Sequence, residues 1–406
     1  MLVELLVNNV RSIRAASISP ALMTVLYGPN GSGKSSLMHA IAIFKNVLNS
    51  PGPPVDRFFK LGSTDLGGFE QVVYQHARLQ SIEIEVTCSH GDASASHAVR
   101  ISSTGCTLTL RAQSVPLLGE FKSFDLAWPG KTGQYEHDVE TRLDASGTNW
   151  LVKWDGAVAK VFSPSPPEAA QAGGFLADTL NGPARVIRGS EWVPLSRAFS
   201  RPHYTRRDPD PATYGEDRLA NRLFVESSLE TQVDQRLRAI VGRGLRARSL
   251  AGTDLFILEA VDPETGLTTT LVNEGAGINQ VAYLLTQSLL ESAPLITVEE
   301  PEIHLHPSAV RRLAYALLDI AKDADRTFIV STHSESFVVA LLGAVAQGKV
   351  DSQDLACYLV TKHEGCSAFE RQQVTSTGQI EGGLRPFMEA QLEDLKHVLG
   401  LARDRK

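Results

Sequence analysis

Short apolar runs open the chain. LVELLV, SIRAASI and MTVLYG are rich in branched side chains and read as three strands, the third running straight into a glycine-rich loop, GPNGSGKSS, at residues 28–36. Beyond the loop, SLMHAIAIFKNVL repeats its apolar positions at helical spacing and stops at the breakers NSPGPP. From about Ser81 the period shortens to two: SIEIEVTC, SHAVRIS and CTLTLRAQ alternate as antiparallel strands with one solvated face do, and TNWLVKW near residue 150 repeats the pattern. SPSPPEAAQAGG, residues 163–174, has the composition of a linker or exposed loop. LETQVDQRLRAIVGRGLRARS, residues 229–249, predicts one helix. Strands resume at LFILEAV and LTTTLV, followed by a helical run QVAYLLTQSLL, a strand PLITVEE, a helix SAVRRLAYALLDIAKDA and a strand RTFIVSTHS. Continuous apolar strands alternating with helices predict a parallel sheet covered on both faces.

Four clusters carry candidate chemistry. Gly28, Gly33, Lys34 and Ser35 fit G-x-x-x-x-G-K-[ST] between a strand and a helix, the setting in which glycines let backbone N–H groups converge on phosphate oxygens. The whole stretch Gly28, Pro29, Asn30, Gly31, Ser32, Gly33, Lys34, Ser35 and Ser36 is therefore the candidate nucleotide cradle, with Lys34 reaching the β- and γ-phosphates of ATP and Ser35 on Mg²⁺. LITVEE ends a buried strand in two adjacent carboxylates, an expensive pair unless a cation lies beside them. Glu299 is the candidate for the magnesium side, and Glu300 for the group that orients and deprotonates the attacking water. His333 stands at the mouth of the next strand, where an imidazole can hydrogen-bond the γ-phosphate or that water. NEGAGINQV, residues 273–281, places two glycines before a helix, either a simple turn or a second anion site.

Composition narrows the setting. At 406 residues with 43% hydrophobic side chains, the chain can build two or three cores, and a net charge of −7 means that any polyanion contact must use a local patch. Four cysteines without a CxxC pair argue against a zinc site and a disulfide framework, and the sequence reads as cytoplasmic. Its longest apolar run, near FVVALLGAVA, is about half of what a membrane helix needs.

The order of these motifs resembles an ABC-type ATPase head. More closely, it is similar to the stand-alone ATPases related to the overcoming-lysogenisation-defect (OLD) family of bacterial defence loci. NNVRS near the N-terminus, GGFEQVV near residue 70, EEPEIHLHP, STHSE and TGQIEGGLRPFMEAQLEDL carry that resemblance, over about residues 1–75 and 265–395. It implies a P-loop head of mixed α/β sheet with flanking helices in two parts, residues 1–75 and 265–406. An insertion at 76–264 interrupts them, β-rich to about 160 and arginine-rich and helical beyond. The resemblance also implies a homodimer or higher oligomer that sandwiches two ATPs. In it Glu274, Gly275, Ala276, Gly277 and Gln280 of one chain would face the cradle of the other. Gln71, with Gln75 as an alternative, takes the magnesium-side glutamine position, and His306 replaces the aspartate that usually links the two sites.

Many relatives of that family add a Toprim nuclease domain with an Asp-x-Asp cluster. No such cluster follows His333, so the chain is not expected to cut nucleic acid itself. The arginines at 185, 188, 197, 201, 206, 207, 236, 238, 243, 246 and 248 could contact DNA or RNA phosphates, but interleaved acids such as Asp208, Asp210, Glu226, Glu230 and Asp234 fit a salt-bridged surface or a partner-docking face equally well. Two functions follow: an ATP-driven sensor, scaffold or switch for a separate effector in antiphage defence, or an SMC-like repair ATPase that clamps duplex DNA. The missing heptad coiled coil speaks against the second, and transport is disfavoured because no membrane-spanning run is present.

Overall fold

The computed structural model describes residues 1–51, 54–62, 64–113, 123–130, 139–145, 148–162, 167–207, 215–290 and 293–384. A six-stranded sheet forms the middle layer, in the order Glu191–Val193, Leu295–Glu299, Thr327–Thr332, Met23–Tyr27, Leu355–His363, Cys366–Gln372. The first five strands run parallel and the last antiparallel. All five residues of Met23–Tyr27 are buried. The strand alternation sends Leu26, Ile329 and Ala356 to one face and Val25, Val298, Val330 and Cys357 to the other, so each face meets its own core.

On the first face the P-loop helix Lys34–Asn49 lies between the central sheet and an antiparallel sheet. That outer sheet runs in the order Ile13–Ile18, Leu2–Val10, Ile82–His90, Ala93–Ser102, Gly105–Gln113, Ser123–Gly130. Because both sides of this helix meet a sheet, apolar side chains ring it: Leu37, Met38, Ile41, Phe44 and Val47 are all buried. On the other face the helices Glu216–Val225, Ser227–Val241, Ala276–Ser288, Pro307–Asp323 and Glu335–Ala346 cover the sheet. No helix among the described residues is long and apolar enough to cross a membrane.

The residues between 76 and 264 are woven into these layers. Ile82–His90 pairs with Leu2–Val10, with Val7 opposite Ile84, so the period-two strands extend the N-terminal sheet. Glu191–Val193 adds the edge strand beside Leu295–Glu299. Two expectations about this stretch are corrected. Residues 167–174 are no loop: they open a 22-residue helix, Pro167–Arg188, whose Leu176, Leu180 and Ile187 are buried beneath the outer sheet. Proline fits the first turn of a helix, and the alanines that follow favour it; residues 163–166 lie outside the described ones. The helix expected over 229–249 is Ser227–Val241, ended by Gly242 in a left-handed cap (φ 72°), after which Gly244–Ser249 is a strand paired with Leu255–Val261. The C-terminal stretch quoted from Thr377 falls outside the described residues beyond 384.

Candidate nucleotide site

The loop after Met23–Tyr27 turns through left-handed glycines, Gly28 at φ 146° and Gly33 at φ 110°. A side chain on Gly28 would meet the Val360 carbonyl at 2.1 Å, and one on Gly33 would meet Ser367 Oγ at 2.2 Å, so neighbouring strands enforce the motif's glycines. Pro29, Asn30 and Gly31 are exposed, while Ser32 and Ser36 are buried. Lys34 Nζ donates to the carbonyls of Gly28 (2.9 Å) and Pro29 (2.8 Å). Burial lowers its pKa to about 8, against the opposing pull of Glu300 and Glu302.

Glu299 ends its strand against the start of the P-loop helix. Ser35 Oγ donates to its Oε2 at 2.7 Å, Trp192 Nε1 donates to its Oε1 at 3.0 Å, and His39 Nε2 stands 3.4 Å from the same oxygen. Arg11 Nη1 lies 3.2 Å from His39 Nδ1. A guanidinium can only donate, so Nδ1 accepts and Nε2 carries the proton that faces Glu299. Burial pushes the Glu299 pKa up, but the hydrogen bonds of His39, Ser35 and Trp192 outweigh it, and the net direction is down. An ionised carboxylate beside a hydroxyl at a helix start is a hard-oxygen pair that fits magnesium. No group of three or more metal-ligating side chains exists among the described residues, so phosphate and water would have to complete the coordination.

Glu300 turns the other way because its backbone is left-handed, at φ 39°. Such a conformation costs about 1–3 kcal/mol in a residue with a side chain and persists only where its surroundings hold it. Here the Glu300 N–H donates to the Ser331 carbonyl at 2.8 Å, and its own carbonyl accepts from Arg197 Nη2 at 2.9 Å. The carboxylate then faces His333 Nε2 at 3.3 Å, both side chains about a third exposed. Burial and the Lys34 charge lower the His333 pKa against the opposing effect of Glu300 and the Gly28 carbonyl, which favours the neutral imidazole.

Three holding groups escaped the sequence reading. Arg197, read there as part of an arginine-rich surface, is 4% exposed; its Nη1 donates to the Glu299 carbonyl at 2.7 Å and the Pro194 carbonyl at 2.9 Å. Burial lowers its pKa to about 10, so it remains a cation at neutral pH. Trp192 reaches Glu299 from the edge strand, and its only sequence signal is a three-residue apolar-leaning run, EWV, ahead of Pro194. Glu302 accepts from the backbone N–H of His333 (3.0 Å) and Ser334 (3.1 Å) and so fixes the histidine's backbone; burial raises its pKa.

The remaining candidates are dispersed. Gln71 is exposed in the single turn Phe69–Val72, and Gln75 Nε2 donates to Tyr74 Oη at 3.1 Å. No hydrogen bond among the described residues joins either glutamine to Ser35 or Glu299. Glu274, Gly275, Ala276, Gly277 and Gln280 form the start of Ala276–Ser288, where Gly275 and Ala276 are exposed and Glu274, Gly277 and Gln280 half-buried. A side chain on Gly277 would meet the His304 carbonyl at 2.6 Å, whereas nothing lies within 4 Å of one on Gly275. Among the described residues, no hydrogen bond ties this segment to Gly28–Ser36 of its own chain. His306 caps the helix Pro307–Asp323, accepting from the Ser308 N–H.

Of the two readings of the arginine region, phosphate contact or a salt-bridged surface, most of its arginines fit the second, because they are matched with acids. Arg185 pairs with Asp178, Arg201 with Glu216 and Asp217, Arg236 with Asp323, Arg238 with Asp234, Arg243 with Asp262, and Arg248 with Glu259. Arg188, Arg206, Arg207 and Arg246 are exposed, and Arg206 lies 5.7 Å from the centre of the Phe224 ring. Asp208 and Asp210 fall outside the described residues.

Residues 154–340 match the family model described as "AAA domain, putative AbiEii toxin, Type IV TA system". That span holds both strand-end glutamates and His333 and begins well after the P-loop. No curated protein matches the chain. Among solved structures, the chain is similar to an SMC head bound to the C-terminal winged-helix domain of ScpA, at 13% identity and a TM-score of 0.50, over 92% of this chain and 98% of that one. It is also similar to the Pyrococcus furiosus SMC head with an extended coiled coil bound to the C-terminal domain of ScpA, at 12% identity and a TM-score of 0.49, over 98% and 99%. The fold is the mixed α/β fold of an SMC-like head, and residues 154–340 are similar to an AAA domain.

Proposed function

We propose that the protein is a magnesium-dependent ATPase that closes head to tail on a second copy around two ATPs. In this reading it acts in the cytoplasm as a sensor, scaffold or switch for a separate effector in antiphage defence. The observation that carries the hydrolytic part is the convergence of Lys34, the Ser35–Glu299 pair and the Glu300–His333 pair at the same ends of three adjacent parallel strands. Ligands of open α/β sheets bind at that edge.

The loop amides and Lys34 would hold the phosphates. Ser35 and Glu299 would hold magnesium, which supplies charge neutralisation on the phosphate oxygens. Glu300 takes the proton of the attacking water, and its left-handed backbone aims the carboxylate away from Glu299 and towards His333. His333, kept neutral, orients that carboxylate. Glu274, Gly275, Ala276, Gly277 and Gln280 would serve the partner's ATP: helix-start amides carry partial positive charge, and Gly275 and Ala276 are open to solvent. Gln71 stays a proposed magnesium-side residue that would have to move inwards to act there.

The defence setting rests on the matched family description, and the separate effector is supported by the solved SMC head, which carries a domain of another protein. The SMC-like fold favours one alternative, a clamp on duplex DNA, against which the paired arginines weigh. Steady-state hydrolysis with and without duplex DNA separates the two. A rate indifferent to DNA is expected, and strong salt-sensitive stimulation would move the assignment to DNA processing. Lys34→Ala is expected to abolish ATP binding in calorimetry; wild-type affinity in that variant would overturn the cradle.

A further inference from the structure

We propose that Trp192 is a positioning residue for the magnesium site, through which the segment carrying the edge strand controls ATP hydrolysis. The inference rests on the nucleotide reading above and extends it to the regulation of the same site.

The strand Glu191–Val193 has three residues, and its register sets Trp192 opposite Thr297, two residues before Glu299. From there the indole N–H reaches Glu299 Oε1 at 3.0 Å, while Ser35 holds Oε2. The carboxylate is thus fixed at both oxygens, one by the P-loop helix and one by the edge strand. The His39 ring stands edge-on to Trp192 at 5.4 Å between centroids and faces the same oxygen, which confines the indole to one orientation.

Two further contacts make the strand's position transmissible. Gln287, on the helix that begins with the Gly275–Gly277 segment, donates from Nε2 to Glu191 Oε2 (3.1 Å) and to the Trp192 carbonyl (3.0 Å). The loop after the strand places Arg197 on the carbonyls of Glu299 and Glu300. A shift of Ala276–Ser288 would therefore move the strand that holds Glu299. The helix whose exposed start would meet a second chain's nucleotide is hydrogen-bonded, through Gln287 and Trp192, to the carboxylate beside its own. A closing partner would thereby be felt at the magnesium site without any contact to it.

Three variants and one spectrum test this. Trp192→Phe keeps the ring and loses the N–H. It is expected to need on the order of tenfold more Mg²⁺ for half-maximal stimulation of ATP binding, the scale of one lost hydrogen bond to a charged group. Its ATP affinity in EDTA should be unchanged. Trp192→His, which retains a ring donor, is expected to recover part of that loss. Val193→Ala removes buried packing from the same strand and should lower the melting temperature with the magnesium requirement intact. In wild-type protein labelled with ¹⁵N-tryptophan, the chain's four indoles give four N–H signals. The Trp192 signal, identified by substituting the other three, should move when Mg²⁺ is added to the ATP-bound protein.

An unmoved Trp192 signal, or a Trp192→Phe variant with wild-type magnesium dependence, overturns the proposal whether or not other variants fold. Equal losses of affinity in EDTA and in magnesium would reduce Trp192 to a packing role and overturn it too. If wild-type protein fails to bind ATP, or binds it equally well as Lys34→Ala, the nucleotide reading itself fails, and that outcome is distinct from the others.

Discussion

The two ends of the proposed ATP sandwich are built in opposite ways. Around Glu299 nearly every polar group is engaged within the chain: Ser35, Trp192 and His39 on the carboxylate, Arg197 on the carbonyls, Glu302 on the backbone of His333. At the start of Ala276–Ser288, Gly275 and Ala276 face solvent, and no hydrogen bond among the described residues connects them to their own P-loop. One end is rigid before ligand arrives, while the other offers helix-start amides to whatever approaches. The difference teaches that, in the proposed sandwich, the chemistry is preorganised in one chain and its completion falls to association.

The strongest way to break the comparison is at the rigid end. Glu300→Gln removes the proposed base and keeps the shape, so hydrolysis should fall about 10²–10⁴-fold while ATP affinity holds, measured by phosphate release and calorimetry. Wild-type turnover would remove Glu300 from its role. Arg197→Ala removes the guanidinium that donates to the carbonyls of Pro194, Glu299 and Glu300, of which the last keeps the Ile303 N–H. A loss of about 2–3 kcal/mol is expected in denaturant unfolding, from the charged hydrogen bonds that the guanidinium no longer makes. A smaller loss with full activity would mean that other contacts hold the left-handed turn at Glu300.

The open end is tested by Gly275→Asp. A side chain fits there without contact, so folding should be unaffected. A carboxylate at the helix start would repel phosphate, and ATP-driven association by Glu300→Gln protein should weaken at least about tenfold in sedimentation. Undiminished association would place the interface elsewhere. The smallest effect is on pH. Free Lys34 loses its proton near pH 8 and phosphate binding favours the charged form, so affinity should fall as pH rises, by about tenfold between pH 7 and 9. Lys34→Arg, which stays charged, should flatten that profile.

The same contrast governs what could be read early. Gly28, Lys34, Ser35, Glu299, Glu300 and His333 announce themselves because each motif is local: a strand end, a tight turn, a helix start within a few residues. Trp192, Arg197 and His39 carry no such signal, since their roles depend on strands and helices distant in sequence. Arg197 lay in a run of arginines whose composition suggested a surface, yet burial against two carbonyls turned it into a structural cation. The helix at 167–188 was hidden by a proline- and glycine-rich start, and the strand at 244–249 by the helical pattern before it. In both cases packing beneath a sheet and pairing with a neighbour override the local composition.

By itself, then, the sequence determined the glycine-rich loop, three of the central strands (Met23–Tyr27, Leu295–Glu299 and Thr327–Thr332), and the two adjacent carboxylates, because backbone geometry and hydrophobic period are written within each short segment. Only the tertiary structure decided that neighbouring Glu299 and Glu300 face different partners, and that a three-residue strand from far upstream holds the first of them. Those outcomes depend on the closing of the central sheet, which brings Trp192, Arg197, Ser35 and Glu299 together across gaps of 102 to 264 residues, and no local pattern encodes such a meeting.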